Sequence, residues 1–243
     1  MSLIHNANVV RDGLVLYLDA ANPKSYPGSG TTWKDLSGNG NHAVLSGTYN
    51  FVNNSFHFND GSQLNGDGRA SVNFGSVSTS YPYTIECIFK INRYKYLSSK
   101  SNIAAQLFSS GRTTGNFDEA FYMGRNGVSG EVLGAGLAWY DSNGADGPGG
   151  GSDQILKNIV YSTSVTIDAP GEVLFYVNGS KTNTSTTPAS DLRLDGEWCI
   201  ANQPLGYNEG VDSNFYIVRV YNRILSDAEI SQNFHATKSR YGL

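Results

Sequence analysis

From Leu14 to Leu225 the chain is a succession of short extended segments separated by turn residues, and no gap between them carries a helical period. LVLYLDA (14–20), HAVL (42–45), SFHFN (55–59) and ASVNFG (70–75) come first. YTIECIFKI (83–91), IAAQLFSSG (103–111), EAFYMGR (119–125) and LGAGLAWY (133–140) follow. The last group is NIVYSTSVTI (158–167), GEVLFYVNG (171–179), DLRLDG (191–196), WCIAN (198–202) and FYIVRVYNRIL (215–225). Parallel strands need long crossovers, usually helices, so this order restricts the chain to antiparallel sheets packed as a sandwich or barrel. The 28 glycines, 15 tyrosines and 11 phenylalanines suit that reading, because aromatics favour strands and glycine favours the tight turns between them. No low-complexity linker divides the 243 residues, so one domain over 1–243 is expected.

The turns and the phase of the strands add detail. WKDLSGNGNH (33–42) holds a Gly-x-Gly, but no third glycine and no helix follow, so it reads as a corner and not as a phosphate loop. Asn178-Gly179 suits a primed hairpin turn. In YTIECIFKI, Tyr83, Ile85, Cys87, Phe89 and Ile91 alternate with Thr84, Glu86, Ile88 and Lys90. Cys87 is therefore expected as a buried free thiol, and Glu86 with Lys90 as a solvated pair on the other face. Cys199 lies in a similar run; a bridge to Cys87 is the alternative, and no metal-ligand cysteine spacing occurs. Arg219 and Tyr221 alternate with Val218 and Val220, so one face of that strand is core and the other is partly solvated or covered.

Only the C-terminal segment reads as helix. Ser226 is a good N-cap, Glu229 completes a capping box, and Leu225 and Ile230 can staple the entry. Ile230, Phe234 and Tyr241 then lie on one stripe, with Lys238 and Arg240 near the negative end of the dipole.

Charge and hydropathy exclude several functions. The net charge is −4 and no Lys/Arg run occurs, so the electrostatic footprint of a nucleic-acid binder is missing. No stretch approaches the roughly 20 apolar residues of a membrane span, so membrane insertion is not expected. The N-terminal residues show no basic region and no small-residue cleavage site, so no secretory signal is visible.

GLVLYLDAANPKSYPGSGTTWKDLSGNGNHAVL (13–45) resembles the opening of concanavalin A-like, laminin G-type jelly-roll modules of bacterial and phage surface proteins. YTIECIFKI, EVLFYVNGS (172–180) and the ending FYIVRVYNRILSDAEISQNFHATKSRYGL (215–243) continue the likeness, while 95–165 departs freely. The resemblance implies an all-β, antiparallel jelly-roll β-sandwich with a short C-terminal α-helix. It further implies a non-catalytic virion surface or structural protein, of capsid-decoration, collar or tail-fibre type. Its partners would be other virion subunits within a larger assembly, and cell-surface carbohydrate. A carbohydrate-binding lectin or adhesin is the alternative reading. Relatives on this fold include glycoside hydrolases, but the Glu-x-Asp-x-x-Glu string of the laminarinase-like enzymes is absent and the seven glutamates are isolated from one another. G-x-S-x-G is absent too, and the histidines at 5, 42, 57 and 235 have no nucleophile partner visible in sequence.

Laminin G modules often fix a ligand-reading loop with calcium, and hard cations take carboxylate and carbonyl oxygens. Asp141, Asn143, Asp146 and Asp153 lie in the Gly-rich stretch DSNGADGPGGGSDQ (141–154), and Asp19 and Asn22 close the first strand. The first set does not follow the calcium-loop pattern and the second is a further candidate; Asx turns are the plain reading of both, so no cofactor is expected. Trp139, Tyr140, Tyr94, Tyr96 and Tyr207 lie near loops and could stack on sugar rings, whereas Trp33 reads as core. Stretch 141–154 is expected to be an interaction loop, since long loops in compact domains are usually functional.

Overall fold

The computed structural model describes residues 8–59, 67–75, 82–93, 105–110, 120–124, 134–141, 144–146, 155–168, 172–186, 196–202 and 212–243. In chain order the strands begin with β1 (Leu14–Asp19), β2 (Thr32–Trp33), β3 (Ala43–Ser46), β4 (Tyr49–Val52), β5 (Ser55–Phe58) and β6 (Arg69–Asn73). They continue as β7 (Tyr83–Arg93), β8 (Ala105–Ser110), β9 (Ala120–Gly124), β10 (Gly134–Asp141), β11 (Gly144–Asp146) and β12 (Ile155–Leu156). β13 (Val160–Ile167), β14 (Glu172–Val177), β15 (Ser180–Thr186), β16 (Glu197–Ile200) and β17 (Asp212–Tyr221) precede α1 (Asp227–Tyr241), the one helix among the described residues.

The strands form two antiparallel sheets. The eight-stranded sheet runs β15-β14-β13-β7-β17-β5-β4, and the nine-stranded sheet runs β11-β10-β9-β8-β16-β6-β3-β2 with β12 on β10. One long strand, β17, organises the first sheet. Along one edge it pairs with β7; along the other its start pairs with β5 and its end with β1. The register slips at Tyr216, between those two partners.

Alternation sends one set of side chains between the sheets. Phe56, Phe58, Phe89 and Phe215 meet Trp33, Phe108, Trp198 and Ile200 in one fully buried cluster, with Trp33 and Phe56 ring centroids 4.6 Å apart. Burying an aromatic side chain of this kind contributes about 1.5–3 kcal/mol. Cys87 belongs to this core, Cys199 sits buried beside Ser71, and both are free thiols. Burial pushes the Cys199 thiol up to about 12, so it stays protonated.

The expected elements are present wherever the described residues cover them. Only Gly196 of DLRLDG (191–196) lies within the described residues. Stretch 141–154 is not wholly a loop. Asp141 pairs with Gly144 and Trp139 with Asp146, so its first residues turn back as β11. Asn143 and 147–154 lie outside the described residues.

The corner 33–42 also has a structural task. Among the described residues β1 pairs only with β17, which leaves one row of its backbone groups without a strand, a liability for any edge. Asp35 Oδ1 accepts from Tyr17 N at 2.8 Å, Asn41 Nδ2 donates to Val15 O at 2.8 Å, and Asn39 Nδ2 donates to Leu14 O at 3.0 Å. Side chains of the corner take the place of a missing strand.

Candidate functional site

The outer face of the eight-stranded sheet divides into a covered half and an open half. In the covered half, Lys181, Tyr176, Ser164, Glu86, Arg219 and Tyr17 stand in one register row across six strands. Helix α1 lies over this row. Its start is built as the sequence predicts: Ser226 accepts from Glu229 N, Glu229 reaches back to Ser226 N, and Gly242 closes the far end in the left-handed conformation.

The face that docks is not simply the stripe of Ile230, Phe234 and Tyr241. Ile230 is buried, but the other fully covered positions are Asn233 and Thr237, and Phe234 is half-buried. Phe234 lies over Gly179 of the primed turn, where an added Cβ would come within 2.9 Å of it. Asn233 Nδ2 donates to Glu86 Oε2 at 2.9 Å and to Tyr221 OH at 3.0 Å, while its Oδ1 accepts from Val10 N at 2.8 Å.

Glu86 is therefore no solvated partner of Lys90. It is 4 % exposed and pairs with Arg219, which is 2 % exposed, at 3.2 Å. Phase identifies the face of a strand but not whether a further layer covers it, and here α1 does. Burial raises the affinity of the Glu86 carboxylate for a proton, and the Arg219 guanidinium opposes that shift. Arg219 also stacks over the Tyr17 ring at 5.1 Å.

The open half begins where α1 ends. Beyond the row of Ser162, Ile88 and Ile217, Lys90, Asn214, His57 and Asn50 form a polar row across β7, β17, β5 and β4, with Val160 of β13 at its end. Asn92 Nδ2 donates to Asn214 Oδ1 at 2.8 Å and to Asp212 Oδ1 at 3.0 Å, and His57 Nε2 lies 2.7 Å from the same carboxylate. His57 thus meets the neighbouring strand. Ser55, two residues before it, spends its hydroxyl on Val52 O at 2.7 Å and accepts from Asn214 Nδ2 at 3.0 Å, so no Ser-His-Asp relay forms.

Between the two halves lies a pocket of about 230 Å³. It opens where β17 changes partner from β5 to β1, and Tyr216 sits at that slip. Tyr241 from the last turn of α1 meets Tyr216 with ring centroids 4.9 Å apart and planes tilted by 56°. Asn53 and Asn54, both at positive φ in the β4–β5 turn, and Arg240 complete the wall. Aromatic faces beside amides and a guanidinium can hold a polyhydroxylated ring, apolar face on apolar face and hydroxyls on polar groups.

The residues expected from sequence are distributed differently. Asp19 is buried, and its carboxylate is held by Arg240 Nη1 at 2.6 Å, Tyr17 OH at 3.1 Å and Ala21 N at 3.1 Å. Asn22 accepts from Lys24 N in an Asx turn. Asp141, Asp146, Trp139 and Tyr140 place their backbones in the β10–β11 hairpin of the other sheet. Tyr94, Tyr96, Tyr207 and Asn143 lie outside the described residues. Among the described residues no group of three or more His, Cys, Asp or Glu side chains could hold a metal, and no helix is long and apolar enough to cross a membrane. Of Tyr216, Arg240, Asn53 and Asn54, Tyr216 alone had a faint signal, because it shares the outward phase of Asn214.

Residues 64–231 match the family described as the concanavalin A-like lectin/glucanases superfamily, in its laminin G-type branch. No curated protein matches the sequence. Among solved structures, the binding domain of Paraclostridial Mosquitocidal Protein 1 superposes with a TM-score of 0.58 and 15% identity, over 92% of this chain and 52% of that one. Trypanosoma rangeli sialidase in complex with sialic acid gives 0.61 and 16%, over 93% of this chain and 33% of the enzyme. Domain 4 of AbnA, a GH43 extracellular arabinanase from Geobacillus stearothermophilus, in complex with arabinotriose, gives 0.60 and 14%, over 90% and 97% of the two chains. The chain thus spans about half the first of these proteins and a third of the second. At such identities the likeness is one of fold.

Proposed function

The chain belongs to the concanavalin A-like lectin/glucanases superfamily, and from that premise we propose that it is a non-catalytic saccharide-recognition domain carried on the surface of a phage particle. The observation that carries the saccharide reading is the open half of the eight-stranded sheet. There His57 and the exposed amides of Asn50, Asn53 and Asn54 stand beside a pocket walled by Tyr216 and Tyr241. Hydroxyl-rich ligands are bound through amide hydrogen bonds and aromatic ring faces, and this surface supplies both. That a neighbour of the same fold is described in complex with arabinotriose supports the ligand class.

The non-catalytic part is supported by where the carboxylates are. Glycoside hydrolysis by the common route needs two free carboxyl groups facing one bond. Among the described residues, four carboxylates of this sheet and its helix are engaged: Glu86 by Arg219, Asp19 by Arg240, Asp212 by His57 and Glu229 by Arg223. The virion placement rests on the terminal motifs 13–45 and 215–243, with other virion subunits as partners.

Affinity electrophoresis of the purified protein through gels containing bacterial surface polysaccharides tests the binding. Retardation without release of reducing ends is expected; free migration in every gel rejects saccharide recognition, and sustained release of reducing ends rejects the non-catalytic reading. Immunogold labelling of purified particles tests the placement, and unlabelled particles reject it.

A further inference from the structure

We infer that the Tyr216–Tyr241 pocket takes a single uncharged sugar ring, a chain end or a branch, and that Asp19 is the residue that makes it select against acidic sugars. The inference rests on the saccharide reading above and assigns that reading a place and a chemical class.

Size comes first. Pockets for drug-sized ligands run from about 300 to 1,000 Å³, so 230 Å³ has room for one ring and not for an oligosaccharide. The tilt of 56° between the two tyrosines makes a corner and not a slot, which suits a ring presented at a chain end.

Charge decides the class. Arg240 is the one cation in the wall, and by itself it would favour a carboxylate-bearing sugar. Its Nη1, however, is 2.6 Å from Asp19 Oδ2. Asp19 cannot swing aside, because its two oxygens are also held by Tyr17 OH and Ala21 N and the side chain is 1 % exposed. An arriving carboxylate meets a cation that is already neutralised, with a fixed anion behind it. A sugar hydroxyl meets no such opposition: Arg240 keeps further N–H donors, and Asn53 and Asn54 offer both donors and acceptors.

The test measures dissociation constants of the whole protein for neutral oligosaccharides and for the same chains ending in sialic or uronic acid. Neutral ends are expected to bind at least tenfold more tightly. Asn53→Gly with Asn54→Gly keeps the left-handed turn (φ 50° and 56°) while removing both amides; it should weaken binding at least tenfold with unchanged thermal unfolding. Asp19→Asn should narrow or reverse the preference against acidic ends. Should that variant unfold, the preference of the unaltered protein decides the point. Tighter binding of acidic ends by the unaltered protein overturns the inference. So does full glycan affinity in the double glycine variant, which would leave saccharide recognition standing at another surface. No binding to any member of the panel overturns the function proposed above, and this assignment with it.

Discussion

Glu86 Oε2 and Arg219 Nη1 meet 3.2 Å apart on adjacent strands, and Asn233 of α1 donates to the same carboxylate oxygen. A buried pair of this kind is costly to desolvate, and its net contribution to stability is small while both members are present. The asymmetry appears when one is removed. Arg219→Met should destabilise the fold by about 3–5 kcal/mol, because it strands a buried carboxylate. The double variant Glu86→Met, Arg219→Met should recover most of that loss. Denaturant unfolding of the three proteins reads both effects, and equal losses in single and double variants would contradict the pairing argument.

The helix is fastened by polar atoms more than by its apolar stripe. Asn233→Ala leaves Val10 N, buried with it, without its acceptor, and should cost about 1–3 kcal/mol. Phe234→Ala should cost less, since Phe234 is only half-buried over Gly179. Thermal unfolding ranks the two, and the reverse order would restore docking by the apolar stripe.

Asp35 holds the free edge of β1 through Tyr17 N and braces its own corner through Ser37 N and Asn41 N. Asp35→Ala should therefore cost about 1–3 kcal/mol for each donor that water does not reach. Hydrogen exchange should show the loss at Tyr17 N first, before the amides of β7 are affected.

Glu229 links stability to pH. Its hydrogen bonds with Arg223 and Ser226 hold the carboxyl at about 2 against an ordinary 4.5. A lowered folded-state value means that the stabilisation is complete above pH 4.5 and is lost as pH falls towards 2. Glu229→Gln should lower the melting temperature at pH 7 and leave little difference at pH 2. A constant difference across that range would place the effect elsewhere.

The strands were legible because each depends on local information: period-two alternation in YTIECIFKI, the Asn178-Gly179 turn, and the Ser226–Glu229 capping box. All of these recur in the structure as read. Glu86 was misread for the opposite reason. Its surroundings come from Arg219, more than a hundred residues away, and from a helix folded across the face. The pocket shares that difficulty. Tyr216, Tyr241, Asn53 and Arg240 come together only because β17 changes partner there, and no local pattern announces a partner change. Aromatics beside loops, the signal followed for Trp139 and Tyr140, mark strand ends in general and not this junction.

The position of β17 in the chain has a consequence for assembly. It follows β1, β5 and β7 in sequence and is the common partner of all three. During synthesis those strands emerge long before residues 212–221 exist to join them, so the eight-stranded sheet cannot close early and its edges wait unpaired. Pairings this distant make folding slow and expose sticky edges on the way. The side-chain clamp that Asp35, Asn39 and Asn41 place on β1 is local in sequence and can form first, so the outer edge of β1, which never gains a strand, is closed while the edge facing β17 still waits.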